Sequence, residues 1–505
     1  MSPSPQRTLI RDAMILTVDA RDTVLPRGDL VIEGSRLAYV GPPDPQWRAQ
    51  PFDQVLDGAR HIALPGLVNA HTHTYATLFR GSFERVPLDL WLIRMRAPTS
   101  RLSPEQLYLS SLVSGIEMLR TGTTTCLDHY FGNTALPDAG VPQEMAAMDA
   151  VGMRAAVAYV LADLKWEETL PVDPAAVAAA GPAAARVTAR ETAQSLAAAE
   201  AFFSQYVGRY PRLRCLVGPS AAHRLSDALF AGCRALADRF GVGLHLHLAE
   251  AKSHAVQGRQ RFGRSLVGRL DTLGVLGPDV SLAHCVWLDD DELRLIAARD
   301  ATAVHDPGSN LKLGSGVARV RRMRELGVRV ALATDGPCSS DHFNMWEVLR
   351  LAAMLHNSNQ IDYRDWLAAR DILRMATIEG ARACGLQAEI GSLEIGKRAD
   401  VVLLSRDSYA LAAANDPFIQ LVYCETGASV DTVFVDGEMV VRDGRCTRVD
   451  EREVYRAVGE ARVSLQPAFE EAQRECARLE IPVREMWQRL AAMRLPDVTP
   501  GVDYR

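Results

Sequence analysis

The sequence predicts an α/β chain: a (β/α)8 barrel accompanied by a small β-rich module made from both chain ends. Three observations predict this. Between about residues 60 and 390, short β-branched runs alternate with helical stretches, and eight such units can be counted. Strand–helix alternation of that length implies a parallel sheet, and eight repeats fit a closed barrel. Residues 8–56 alternate apolar and polar positions around Gly, Pro and Asp, as short strands with turns do. The segments KRADVVLLS and DTVFVDGEMVVRDGR, near the far end, have the same character. Two or three strands are marginal alone, so the ends are expected to pair with each other.

In chain order, LIRDAMILTVDA and DLVIEGSRLAYVGP supply the leading strands. HIALPGLVNAHTH opens the barrel and precedes the helical YLSSLVSGIEMLRTG. TTTCLD, MRAAVAYV, LRCLVGPS, VGLHLHLAE, VSLAHCVWL, TAVHDPGS and VRVALATDG follow as strands. Apolar-periodic segments such as DALFAGCRALADRFG and DELRLIAARD separate most of them. Residues 174–204 are Ala-rich and read as a helix with an irregular start. Residues 450–495 read as charged amphipathic helices. The expected division is a barrel over 61–391, a module from 1–60 with 392–445, and a helical tail over 446–505.

Composition narrows the function. The chain has 505 residues, 48% of them hydrophobic, enough for a large core. Lys and Arg total 56 against 62 Asp and Glu, a net charge of −6. No basic excess exists to hold a phosphate backbone, so a small molecule or a protein is expected as partner and nucleic acid is not. The 9 cysteines are scattered with no C-x-x-C pair. That pattern disfavours a disulfide framework or zinc ribbon and points to a reducing cytoplasm. No apolar signal segment and no 18-residue apolar run is present, so neither export nor a membrane span is expected.

Four signals converge on one end of the barrel. His71-Thr72-His73 directly follows the apolar run LPGLVNA. Residues i and i+2 of a strand point the same way, so both imidazoles can serve one metal; alone, the pair also fits two surface histidines near a turn. His245-Leu246-His247-Leu248-Ala249-Glu250 ends another strand. There the deeper His245 reads as a packed barrel residue and the outer His247 as the better ligand. Glu250 lies in the following loop, as a proton-transfer group or as a solvated helix-start carboxylate. His284 ends VSLAHCVWL and Asp335 ends VRVALATDG. Barrel catalysis concentrates at the C-terminal strand ends. His71, His73, His247 and Asp335 therefore form a candidate first shell for a metal with N and O ligands, leaving His284 and Glu250 for proton transfer. No Walker loop, no G-x-S-x-G elbow and no H-x-E…P-C-x-x-C pattern competes with this reading.

At these residues the chain resembles the amidohydrolase superfamily, and more narrowly its ATZ/TRZ-type metal-dependent aminohydrolases. LPGLVNAHTH, LFRG, GTTTCLD, HLHLAE, AHCVWL, VHDPGSNLKLGSG, ALATDG and GSLEIGKRADVVLL carry the resemblance, in family order over about 60 to 405. It implies a barrel with a β-sandwich assembled from both flanks. It also implies one divalent metal on His71, His73, His247 and Asp335, with Glu250 as proton shuttle. The expected mechanism has Asp335 and His284 orient and deprotonate a water activated by that metal. LRCLVGPSAAH has no Lys to bridge a second metal. Zinc is the first choice, and iron(II) is compatible with the same donors.

The implied activity is hydrolytic deamination of a small heteroaromatic ring of purine, pyrimidine or triazine type, by a homodimer. Adenosyl-type relatives place a ribose-binding Glu and an Arg where this chain has Ser100 and Tyr159, and Ser220 replaces a His. A small base or triazine is thus expected over a nucleoside. Trp91, His129, His223 and Asn310 are the candidate substrate contacts, although His129 equally fits a packed position. The alternatives are the same site acting as a dechlorinase, N-dealkylase or cyclic amidase, and a non-catalytic barrel.

Overall fold

The computed structural model describes residues 6–131, 137–180, 190–359 and 362–495. Eight parallel strands run side by side in chain order: β1 (Leu67–Thr72), β2 (Thr123–Tyr130), β3 (Arg154–Leu161), β4 (Leu213–Pro219), β5 (Leu244–Leu248), β6 (Val280–His284), β7 (Thr302–His305) and β8 (Arg329–Leu332). They coincide with the eight runs read from the sequence. Every residue of β1, β2 and β6 is buried, as parallel strands covered on both faces require.

The sheet closes through a side chain. The Asn69 amide of β1 donates to the Thr334 hydroxyl at 2.7 Å and accepts from the Thr334 N–H at 3.0 Å. One step further, the Asp335 N–H donates to the His71 carbonyl at 3.1 Å. These bonds span the seam where β8 meets β1.

HIALPGLVNAHTH is one run in the sequence but two strands in the fold. His61–Pro65 belongs to a second sheet, and only Leu67–Thr72 enters the barrel. Gly66 is the crossing point. A Cβ there would lie 2.0 Å from Thr124 Oγ1, so no other residue lets the chain pass that close.

The second sheet is mixed and nine-stranded, and both chain ends build it. Arg7–Leu16, Val24–Glu33, Arg36–Gly41, Gln54–Asp57 and His61–Pro65 come from the leading end, and Val401–Ser405, Val430–Val435, Glu438–Arg442 and Arg445–Cys446 from the far end. The halves join where His61–Pro65 pairs antiparallel with Val401–Ser405, Leu64 opposite Val402. Ile10, Ile15, Leu30 and Ile32 share one small core with Val401, Leu403 and Phe434. This sheet sits at the N-terminal end of the barrel. Arg154, the first residue of β3, is 3% exposed and donates to both Asp400 oxygens at 2.9 Å and to Asp436 at 3.3 Å. The C-terminal strand ends stay available for chemistry.

The helix α1 (Leu88–Thr99) follows β1. Two far-end helices, α2 (Glu451–Cys476) and α3 (Glu480–Ala492), pack near it. Val483, Met486 and Leu490 form the buried stripe of α3, at i, i+3 and i+7. The Gln473 amide donates to the Arg94 carbonyl at 2.8 Å, and Phe469 stacks on Phe79 at 5.6 Å. The Ala-rich segment, expected as one helix with an irregular start, contributes helices Pro174–Ala180 and Thr192–Tyr206; residues 181–189 lie outside the described residues. All nine cysteines are unpaired. No described helix is long and apolar enough to cross a membrane.

Asp400→Ala would leave the Arg154 guanidinium buried beside Asp436 alone. Breaking a buried pair in this way typically costs about 3–5 kcal/mol. Chemical denaturation of the variant should show a loss of that order.

Candidate metal centre

Three strand ends deliver four donor groups to one point. His71 sits in β1 and His73 just beyond it, their rings 4.7 Å apart and nearly perpendicular. His247 comes from β5, and Asp335 from the turn after β8. His73 Nε2 lies 3.2 Å from His247 Nε2 and 3.3 Å from Asp335 Oδ1. Asp335 Oδ1 is 3.5 Å from His71 Nε2, which is buried with no hydrogen-bond partner. The donor atoms of His71, His73 and His247 all fall within 4.8 Å of one another.

The other edge of each ring fixes its tautomer. His73 Nδ1–H donates to the His129 carbonyl at 2.7 Å, and His247 Nδ1–H to the Ser220 carbonyl at 2.6 Å. His71 Nδ1 meets His245 Nε2 at 2.7 Å, and His245 Nδ1 meets Ser281 Oγ at 2.7 Å. Each ligand ring thus keeps its Nε2 lone pair for the centre. Burial, then the neighbouring imidazoles, push the pKa of His71 and His247 well below the usual value, and that of His245 to about 3. Neutral imidazoles with outward-anchored N–H groups and converging lone pairs are what a divalent cation requires. The residues fit a metal.

Asp335 is pinned as firmly. Its Oδ1 accepts from the Gly336 N–H at 2.7 Å and its Oδ2 from the Ser309 hydroxyl at 2.5 Å. The strand ends are also strained. Ala249, His284 and Asp335 have φ of 44°, 72° and 63°, in the left-handed region. Such conformations cost about 1–3 kcal/mol each and cluster where function over-determines the backbone.

Two groups beside the donors suit proton transfer. Glu250 is 5% exposed, and burial, then Asp335, Asp306 and Asp89, raise its pKa well above the carboxylate range. Its Oε2 lies 3.6 Å from His284 Nε2. His284 Nδ1–H donates to Asn310 Oδ1 at 3.0 Å, leaving Nε2 buried and unpaired. Burial lowers the His284 pKa to about 4. A protonated carboxyl and a neutral imidazole thus face one another, an acid and a base in the forms that neutral-pH chemistry needs.

A cavity opens onto this group. His73, His247, His284, Asp335 and Glu250 line it together with Tyr75, Trp91, Met95 and Phe131. Trp91 is anchored by its N–H to the Cys338 carbonyl at 3.1 Å. His223 also lines the cavity, stacked on His254 at 3.9 Å. Two further candidates sit elsewhere. Asn310 holds His284 and does not line the cavity. His129 is fully buried behind the ligands, its ring 4.7 Å from that of His247.

Residues 62–440 match the model of the amidohydrolase family. The chain belongs to the amidohydrolase family. It is thereby a hydrolase. Among its relatives, the 5'-deoxyadenosine deaminase of Methanosarcina barkeri is 32% identical over 88% of this chain and 95% of its own length. A 5-methylthioadenosine/S-adenosylhomocysteine deaminase of Desulforudis audaxviator is 35% identical over 89% and 97%. Among solved structures, an adenosine deaminase from Xanthomonas campestris with bound zinc superposes with a TM-score of 0.81 at 26% identity, covering 92% of this chain and all of that one. An Arthrobacter aurescens atrazine chlorohydrolase variant, complexed with zinc and atraton, gives 0.82 at 25% identity over 90% and 100%.

The sequence reading of this amidohydrolase missed the far wall of its cavity. Asp89, His254 and Arg224 line it. Asp89 Oδ2 accepts from the Ser253 hydroxyl at 3.0 Å and from the Trp487 N–H of α3 at 2.9 Å. The one available signal was an acid set between Leu88 and Leu90 in an apolar stretch; its partners lie 164 and 398 residues away.

His245 has a task here beyond filling space, because it alone fixes His71 Nδ1. Losing such a partner typically costs 10–100-fold in metal affinity. His245→Phe should weaken metal retention by roughly that factor in a chelator competition, with circular dichroism unchanged.

Proposed function

We propose that this amidohydrolase removes an amino group from a heteroaromatic ring by hydrolysis, using one divalent ion per chain held by His71, His73, His247 and Asp335. The observation that carries the proposal is the convergence of three Nε2 atoms and one carboxylate, with every outer Nδ1 already committed. Zinc is the preferred ion because it accompanies the adenosine deaminase and chlorohydrolase neighbours; iron(II) suits the same donors. When bound, a divalent ion of this kind lowers the pKa of its water toward neutrality.

The protein groups divide the remaining work. Trp91, Phe131 and Tyr75 offer aromatic surfaces that hold a flat ring and exclude solvent. Asp335 and His284 orient the attacking water and take its proton, His284 being neutral and fixed by Asn310. Glu250, protonated by virtue of its burial, gives a proton to a ring nitrogen as the carbon bearing the amino group becomes tetrahedral. The proton taken from the water passes to the amine, the hydroxyl on the tetrahedral carbon returns its proton to Glu250, and the C–N bond breaks to release ammonia and leave the oxo ring.

The relatives named above act on adenosine-type nucleosides and the chlorohydrolase neighbour carries a triazine, which together support a purine- or triazine-like ring. Ser100 and Tyr159 stand away from the cavity. The Ser100 hydroxyl caps Ala97, and Tyr159 packs on Phe202 at 4.9 Å. Their placement supports recognition centred on the ring. A second reading, favoured by the likeness to the chlorohydrolase, keeps the site and changes the leaving group to chloride or an alkylamine. The proposal extends to a homodimer in a reducing cytoplasm, with the assembly read by light scattering.

Ammonia release should be detected from at least one of 5'-deoxyadenosine, adenosine, free aminopurines, aminopyrimidines and aminotriazines. The purified protein should carry about one metal ion per chain, and His71→Ala should lose metal and turnover together; full metal retention in that variant would sink the ligand assignment.

Glu250→Gln should keep its metal and lose about 10²–10⁴-fold in kcat. Because the protonated form of Glu250 is the active one and its pKa is raised, kcat/KM should fall as pH climbs through that pKa. Near-normal turnover in Glu250→Gln would remove the residue from the chemistry.

A further inference from the structure

Arg224 is a buried cation that no described residue supplies with a counter-charge. It follows β4, five residues after Pro219, lines the catalytic cavity and is 5% exposed. Its backbone is fixed, the N–H donating to the Ala221 carbonyl at 2.9 Å. Among the described residues its guanidinium makes no ion pair and no hydrogen bond, and Nε is fully buried without a partner. A guanidinium presents five N–H donors, and burying it unpaired is strongly unfavourable.

The acids of the same cavity are committed elsewhere. Asp89 accepts from Ser253 and Trp487, with its other oxygen 3.6 Å from His254. Glu250 faces His284, and Asp335 faces the histidines, Ser309 and Gly336. The charged neighbour that acts on Arg224 is a second guanidinium, Arg96, which adds repulsion. Burial and Arg96 lower the Arg224 pKa only to about 10, so the charge persists at neutral pH.

We propose that Arg224 binds a carboxylate carried by the substrate, making amino-substituted heteroaromatic acids the preferred substrate class. The planar fork of a guanidinium matches a carboxylate with two parallel hydrogen bonds. The amine end of the ring is read at the metal-ligand cluster and the acid end at Arg224. The substrate class rests on the deaminase reading above; the anion subsite does not.

The test uses the full-length, metal-loaded protein and its Arg224→Gln and Arg224→Met variants. The first arm compares kcat/KM for matched pairs: adenosine with adenosine-5'-carboxylate, cytosine with 5-carboxycytosine, and 2,4-diamino-1,3,5-triazine with its 6-carboxylate. In at least one pair the acid should be preferred, and Arg224→Gln should cut that acid-over-neutral preference by about 10²-fold, the usual scale for losing one partner of a desolvated charge pair. The second arm needs no turnover: calorimetric binding of nicotinate against nicotinamide. The nicotinate preference should collapse in both variants. Failure of all pairs to react, with a nicotinate preference that depends on Arg224, would refute the deaminase reading and leave the subsite standing. A nicotinate affinity unchanged in both variants would put the carboxylate at the histidine–aspartate cluster and overturn the proposal. So would equal losses on acid and neutral partners. Thermal unfolding separates a structural role: relief of an unpaired buried charge should leave Arg224→Met at least as stable as the parent, and a large drop in Tm would overturn the proposal.

Discussion

The β1–β8 seam is the constraint on which the site depends. Asn69 and Thr334 are 265 residues apart, and two hydrogen bonds between them close the barrel. The next bond in line, Asp335 N–H to the His71 carbonyl, ties two of the four donor residues directly through their backbones. The geometry of the cluster is therefore set by the closure of the sheet. A barrel that closed one residue out of register would turn His71 and His73 away from Asp335, since side chains alternate along a strand.

The converging lone pairs carry an electrostatic cost. Several neutral imidazoles and a carboxylate share a buried space in which no protein proton satisfies His71 Nε2. The fold tolerates this because each ring is held from behind, by the carbonyls of His129 and Ser220 and by the His245–Ser281 relay. Left-handed turns at Ala249, His284 and Asp335 add backbone strain at the same strand ends. At the opposite end of the barrel Arg154, Asp400 and Asp436 join it to the nine-stranded sheet, away from this strain.

The helices beyond the barrel take part in the cavity as well. Trp487 of α3 reaches Asp89 in α1, while Gln473 and Phe469 of α2 grip the same first-loop region. The wall opposite the donors is thus shaped by a segment beyond the span matched by the family model. That wall holds Arg224 and the committed Asp89, where differences in substrate choice have room to arise without disturbing the donors.

The sequence by itself determined the parts governed by local pattern. Eight apolar runs with intervening helical segments fix the barrel, and residues at their ends must fall on one rim. The i, i+2 spacing of His71 and His73, and the outer position of His247, follow from strand alternation alone. The pairing of both chain ends was legible because neither fragment is large enough to stand by itself. Tertiary structure decided what rests on long-range or backbone partners. Gly66 divides one apolar run between two sheets because Thr124 leaves no space for a Cβ. His245 anchors His71 across the barrel, and Asn310 serves His284 rather than the cavity. His129 lends the centre its carbonyl, and a carbonyl is common to every residue type and so leaves no mark in a sequence. Asp89 finds Trp487, and Arg224 finds no acid among the described residues, for the same reason: a side chain's partner is set by which distant segments the fold brings beside it, and one sequence records only the neighbours along the chain.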